Sequence, residues 1–161
     1  MARVYISIGS NIDPEANVRS SLRALERRFG PLVRSTVYQT KAVGFAGADF
    51  HNLAVGFDTD RDVQDVADIL HAIEHAHGRR RGEKFSSRLL DLDLLLYDDL
   101  ILQQPGFDIP RAEITRYAFV LRPLAEIAGD FEHPVRRRTI AELWAEFEDK
   151  GKGMRVIEWE E

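Results

Sequence analysis

The sequence predicts an α+β fold. Its core is a ferredoxin-like β-α-β-β-α-β arrangement with a largely antiparallel sheet, extended by additional C-terminal helices and a strand. Three observations carry that expectation. Stretches of period-two alternation and stretches with an apolar face at helical spacing follow one another in the order strand, helix, strand, strand, helix, strand. The chain has 161 residues, the size of a single domain spanning 1–161. Its 44% hydrophobic and 30% charged content is that of a globular chain, and a chain of this size can bury about 70% of its unfolded surface without a disulfide or metal staple.

Arg3 to Ile8 alternates as a half-buried strand, and Gly9-Ser10-Asn11 breaks it. Asp13-Pro14 then offers an N-cap and a first-turn proline. Val18, Leu22, Leu25 and Phe29 recur at spacings of four, three and four, which gives a helix ending before Gly30-Pro31. Leu32 to Thr40 and Phe50 to Asp58 read as strands, with Leu53, Val55 and Phe57 sharing a face. Val63, Val66, Leu70 and Ile73 give a second helix ending near Gly78, and Leu89 to Tyr97 is a strand. Two helices on one face leave the other face bare. The rest of the chain is expected to cover it with a short strand at Leu100 to Leu102 and helical turns from Ile114 to Ala128 broken around Pro123. A helix carrying Ile140, Leu143, Trp144 and Phe147 and a last strand from Met154 to Trp159 complete it. The loops Lys41 to Asp49 and Gly78 to Ser87 are longer than a hairpin needs and read either as functional lids or as solvated surface.

Charge and composition exclude several classes. Lys and Arg number 22 against 27 Asp and Glu, a net charge of −5, which argues against nucleic acid or an anionic membrane as partner. No run approaches the ~18 apolar residues of a membrane span. Zero cysteines remove thiolate nucleophiles and Cys-ligated metal sites. Met1 to Ile8 lacks the pattern of a signal peptide, so a cytoplasmic protein is expected, and no obligate protein partner is evident. One segment departs from the acidic average: Arg79, Arg80, Arg81, Lys84 and Arg88 against Glu83 alone make a local +4, followed at once by Asp91, Asp93, Asp98 and Asp99. A metal-bound polyphosphate site requires that juxtaposition, and a solvated loop beside an acidic strand would also produce it.

Asp91-Leu92-Asp93 is the most informative short segment. In a strand the two carboxylates project together, with Leu89 and Leu95, while Leu90, Leu92, Leu94 and Leu96 form the opposite face. Two such carboxylates suit one Mg²⁺ or two, bridging phosphate oxygens, and would equally serve as an acidic solvent face or as partners of Arg88. His71, Glu74 and His75 match H-x-x-E-H, a zinc signature, but imidazoles also favour a helix C-terminus. Phe50, Asn52, Phe85 and Phe119 lie in or beside loops, where aromatics with an amide nearby suit a flat heterocycle, core filling being the alternative.

Four segments together resemble a known family. Tyr5-Ile6-Ser7-Ile8-Gly9-Ser10-Asn11, Phe50-His51-Asn52-Leu53-Ala54-Val55, Arg88-Leu89-Leu90-Asp91-Leu92-Asp93-Leu94-Leu95-Leu96-Tyr97 and Ala118-Phe119-Val120-Leu121-Arg122-Pro123-Leu124 stand in the order and spacing of the 6-hydroxymethyl-7,8-dihydropterin pyrophosphokinases. The resemblance covers roughly residues 3 to 134. It implies a ferredoxin-like fold and an ATP-dependent diphosphokinase of folate biosynthesis, which transfers pyrophosphate from ATP to the hydroxymethyl group of the reduced pterin and releases AMP. By matching positions it implies Asp91 and Asp93 as ligands of two Mg²⁺ ions. Thr40, Val43, Phe50, Asn52 and Phe119 match the pterin contacts. His71, Glu74, Arg81, Arg88 and Arg111 match ATP contacts, and Arg79 and Arg88 match catalytic basic residues of a closing loop.

Departures from the family pattern cluster on the ATP side. Arg111 stands after Ile109-Pro110 where the family has a histidine, and Tyr117 stands where it has an arginine, with Arg116 adjacent. His71 replaces a glutamine, Phe85 a tryptophan, and Ser86-Ser87 a Gly-Pro. The resemblance therefore also admits an alternative, a pterin-binding paralogue with lost or altered transfer. A zinc hydrolase built on His71, Glu74 and His75 is a third reading.

Overall fold

The computed structural model describes residues 1–41, 47–78 and 90–159. In chain order it contains β1 (Ala2–Ser10), α1 (Pro14–Phe29), β2 (Val33–Arg34), β3 (Val37–Thr40), β4 (Phe50–Thr59), α2 (Val63–Ala76) and β5 (Asp91–Tyr97). There follow β6 (Leu102–Gln104), β7 (Phe107–Ile109), a 3-10 turn (Ala112–Thr115), α3 (Ala118–Ala128), α4 (Ile140–Glu146) and β8 (Arg155–Ile157). The main sheet runs β5-β1-β4-β3-β8, with β2 also on β4, and every pairing is antiparallel. That is the ferredoxin-like core with β8 added at its edge.

The pleat divides the apolar residues between two cores. Val4, Ile6 and Ile8 of β1, Leu53, Val55 and Phe57 of β4, and Leu90, Leu92 and Leu94 face α1 and α2, meeting Val18, Leu22 and Leu25 from the first helix and Val66, Leu70 and Ile73 from the second. On the other face Tyr5, Ala54, Leu95 and Leu96 pack against Ile114, Val120, Leu121, Leu124 and Ile140. The C-terminal third of the chain thus covers the face that the first two helices leave bare, as expected.

The departures from expectation have local causes. Leu96 does not share the face of Leu90, Leu92 and Leu94: the β1–β5 register shifts between Tyr5 and Ile6, so Tyr5 opposes Leu96 while Ile6 opposes Leu94, and Leu95 is the extra residue of a bulge. The strand expected from Leu32 to Thr40 is two short ones. Ser35 breaks it by using its hydroxyl to accept the Ala54 N–H at 2.9 Å while its own N–H donates to the Ala54 carbonyl. The strand expected at Leu100 to Leu102 begins at Leu102 and forms a β6–β7 hairpin whose second arm was not anticipated. The break expected at Pro123 falls instead between the 3-10 turn and α3, and Pro123 sits buried inside the helix. Asp13 occupies the cap position of α1 in a left-handed conformation (φ 42°) and makes no side-chain cap bond. The last strand is Arg155–Ile157 rather than Met154 to Trp159, and β5 begins at Asp91 in the described residues.

Between α3 and α4, buried His133 organises a turn. Its Nδ1 accepts the backbone N–H groups of Val135 (3.3 Å) and Arg136 (3.1 Å), which requires an unprotonated Nδ1. Burial first, and the Arg136 guanidinium second, push its pKa below the usual 6.5. A folded pKa below the unfolded one means that this stability is fully present above about pH 6.5 and is lost as pH falls towards the folded value. His51 is lowered by burial as well and adds in the same direction. His133→Asn keeps an acceptor without titrating, so it should flatten part of the decline in Tm between about pH 7 and about pH 5, and an unchanged slope would place the acid sensitivity elsewhere. His133→Ala should cost about 1–3 kcal/mol near neutrality, measured by urea unfolding, because two backbone amides lose their acceptor.

Candidate active site

The register of the sheet sets one row of residues across five strands: Asp91 on β5, Gly9 on β1, Asn52 on β4, Tyr38 on β3 and Val156 on β8. Residues directly opposite in antiparallel strands share a face, here the face covered by α3. The next row holds Asp93, Ser7 and Ala54. Asp91 and Asp93 are both half-buried.

Gly9 is where backbone chemistry makes room for side-chain chemistry. A Cβ there would lie 2.8 Å from Asn52 Oδ1, so only the bare backbone lets the amide lie over it, while the Phe50 ring at 3.8 Å would be in ordinary contact. Asn52 Nδ2 donates to Thr40 Oγ1 at 2.6 Å, and Thr40 is paired with Phe50 across the strands. The buried Asn11 donates from Nδ2 to the Ala48 carbonyl at 3.0 Å, which ties the segment before Phe50 to the end of β1. Thr40, Phe50 and Asn52 therefore form one cluster around Gly9. Phe119, half-buried, stands in the first turn of α3 on this same face of the sheet. Its ring is stacked on Tyr117 at 4.9 Å and 22°. Pro123, inside α3, has no N–H to donate to the Phe119 carbonyl one turn before it.

In the next row, Arg111 Nη2 lies 3.4 Å from Asp93 Oδ1, and Arg111 Nε donates to Glu113 Oε2 at 2.5 Å. Burial works against the charge of Arg111. The carboxylates Asp93, Glu113 and Glu74 outweigh it and push its pKa up, so the guanidinium stays protonated. Glu74, buried on α2, accepts the Leu92 N–H at 2.7 Å and so grips the backbone between the two aspartates. Two half-buried carboxylates on one strand face are an all-oxygen donor set, which fits a hard divalent cation whose remaining ligands are water or phosphate oxygens.

The structure thus brings together Asp91, Asp93, Glu74 and Arg111 in one group and Thr40, Phe50 and Asn52 in another, with Gly9 between Asp91 and Asn52. Val43, Arg79, Arg81, Phe85 and Arg88, and the closing loop as a whole, lie outside the described residues. His71 is exposed on α2 one turn before Glu74. The zinc reading is overturned. Glu74 faces inward and is bonded to Leu92 while His71 and His75 are exposed, and no group of three His, Cys, Asp or Glu among the described residues is placed to hold a metal. Sequence reasoning missed Glu113, whose only signal was its position two residues after Arg111. It also missed the stacking role of Tyr117.

A ferredoxin-like α+β scaffold that sets paired carboxylates and a guanidinium beside an aromatic and amide cluster is that of a small-molecule enzyme. The chain belongs to the 7,8-dihydro-6-hydroxymethylpterin-pyrophosphokinase (HPPK) family, whose pattern matches residues 5–129. It is 36% identical over 138 residues to the 2-amino-4-hydroxy-6-hydroxymethyldihydropteridine pyrophosphokinase of Pseudomonas aeruginosa, covering 82% of this chain and 84% of that protein. It is 31% identical over 133 residues to the folic acid synthesis protein FOL1 of Dictyostelium discoideum, covering 81% of this chain but 20% of that longer protein. The Plasmodium falciparum HPPK-DHPS crystal structure superposes with a TM-score of 0.75 at 13% identity, over 98% of this chain and 47% of that one. The chain thus spans about half the length of that fused protein, and this likeness concerns the fold.

Gly9→Ala should push Asn52 aside and cost about 1–3 kcal/mol through overpacking. Combined with Asn52→Ala, which empties the contested space, it should cost clearly less than the sum of the two single changes, read from a double-mutant cycle of unfolding free energies. Strict additivity would mean that Gly9 is not what seats the amide.

Proposed function

We propose that this chain transfers pyrophosphate from ATP to the hydroxymethyl group of 6-hydroxymethyl-7,8-dihydropterin, giving the pterin diphosphate and AMP for folate synthesis. The observation that carries the reading is the single row in which Asp91 and the Asn52 cluster flank Gly9, since a donor and an acceptor must meet within bonding distance on one surface. The pterin hydroxyl oxygen attacks the β-phosphorus, the bond from that phosphorus to the oxygen bridging to the α-phosphate breaks, and AMP departs with that oxygen while the hydroxyl proton is released.

Phe50 and Phe119 supply the faces for a flat ring, and Asn52, oriented by Thr40, supplies the edge donor and acceptor. Asp91 and Asp93 are the residues that would hold Mg²⁺, which when bound neutralises the triphosphate and makes the hydroxyl more acidic. Glu74 keeps those carboxylates in register by its bond to Leu92, and Arg111 brings positive charge to the phosphate side. No described helix is long and apolar enough to cross a membrane, and the cytoplasm, where ATP is plentiful, is the compartment this reading implies.

Incubation with ATP, Mg²⁺ and the hydroxymethyl pterin should release AMP in step with pterin diphosphate. Pterin binding without AMP would instead favour the non-transferring paralogue, to which Tyr117, standing where the family has an arginine, lends support. Asp91→Ala and Asp93→Ala should each lower turnover by about a thousandfold or more while the chain still folds, because they remove no core volume, and Asp93→Ala should also lower Tm slightly because Arg111 loses a carboxylate partner. AMP formation at the parent rate in either variant would refute the assignment of the metal ligands. Phe119→Ala should raise KM for the pterin by about fivefold to 150-fold, as loss of a stacked ring costs about 1–3 kcal/mol.

A further inference from the structure

Arg111 is anchored so that its guanidinium faces two carboxylates at once. Its backbone N–H donates to the carbonyl of Leu95, the bulge residue of β5, at 3.0 Å, which fixes the start of its side chain beside the strand that carries Asp93. From there Nη2 reaches Asp93 Oδ1 at 3.4 Å and Nε reaches Glu113 Oε2. The three side chains are 35%, 26% and 30% exposed. Partial withdrawal from water makes such contacts firmer than those of a fully exposed pair. A planar guanidinium has separate donor edges and can serve both carboxylates, which an ammonium group cannot do from one point.

We propose that Arg111 is an internal counter-cation that engages Asp93 when no metal is bound and that an arriving divalent cation must displace, with Glu113 as the positioning residue that sets how firmly it holds. This rests on Asp91 and Asp93 being the metal-binding residues of the proposed reaction. A cation arriving alone must break the Arg111–Asp93 contact and leave the guanidinium with Glu113 and the more distant charge of Glu74. A cation arriving with a triphosphate brings the anion to which Arg111 can turn, so metal and nucleotide each strengthen the binding of the other. Glu113 holds Arg111 partly away from Asp93, and neutralising it leaves Asp93 as the nearest carboxylate for the guanidinium.

The test is titration with Mn²⁺, followed by electron paramagnetic resonance, with and without a non-hydrolysable ATP analogue. Without nucleotide, Arg111→Gln should bind Mn²⁺ about tenfold more tightly than the parent, and Glu113→Gln about threefold more weakly. Arg111→Lys keeps the charge but not the two-edged grip, and it should fall with Arg111→Gln; it carries the test alone if the glutamine variant does not fold. The analogue should tighten Mn²⁺ binding more in the parent than in either Arg111 variant. An unchanged nucleotide-free affinity in Arg111→Gln overturns the proposal. Parent-like affinity in Arg111→Lys also overturns it, since the effect would then be that of a distant charge. A parent protein that binds no Mn²⁺ even with the analogue overturns the metal assignment itself, whereas normal binding there with unaltered variants overturns this inference alone.

Discussion

The antiparallel register of β1 against both of its neighbours is the constraint on which the site depends. Gly9 opposes Asn52 on one side and Asp91 on the other, so the two halves of the site share one backbone position as their common neighbour. A slip of one residue in either pairing would turn Asn52 or the aspartates to the helix face, against Ile6 and Ile8, and turn the leucines and valine beside them out of that core. The apolar residues of β1 prevent that slip, because Ile6 and Ile8 are wholly buried against α1 and α2 and have no other place to go. The chemistry is held in place by hydrophobic packing on the reverse side of the sheet.

The bulge at Leu95 reconciles two demands on β5. Its first half must keep aspartates on one face and leucines on the other, while its second half must give Leu95 and Leu96 to the core under α3. One inserted residue changes the phase between them. It also leaves the Leu95 carbonyl to accept the backbone N–H of Arg111, so the irregularity that satisfies the second core is the one that places the arginine.

The fold was legible because long periodic segments leave little choice. The faces of α1, α2 and β4 followed directly from Val18 to Phe29, Val63 to Ile73 and Leu53 to Phe57. Leu96 was not legible, since five leucines in seven residues hide a phase change that only pairing with Tyr5 reveals. The division of the strand before Thr40 was hidden because the hydroxyl of Ser35 acts on the distant Ala54. At the site, Asp91, Asp93, Phe50 and Asn52 stood out in the sequence as candidates, the spacing leaving an acidic surface or core filling open and the family resemblance supplying their roles. The engagement of Glu74 with Leu92, and of Arg111 with Asp93, depends on separations of 18 residues along the chain in both cases, which no local pattern records.

The bond from the Leu92 N–H to Glu74 also bears on how the molecule meets its own kind. β5 is a terminal strand of the main sheet, and a terminal strand ordinarily offers unpaired backbone groups to any extended chain that passes. Here the Leu92 amide is already taken by a carboxylate from α2, and the Leu95 carbonyl by Arg111. An intruding strand would have to displace the buried Glu74 carboxyl group to begin pairing. The border of the sheet that carries Asp91 and Asp93 is thereby guarded against intermolecular strand exchange and fibril growth.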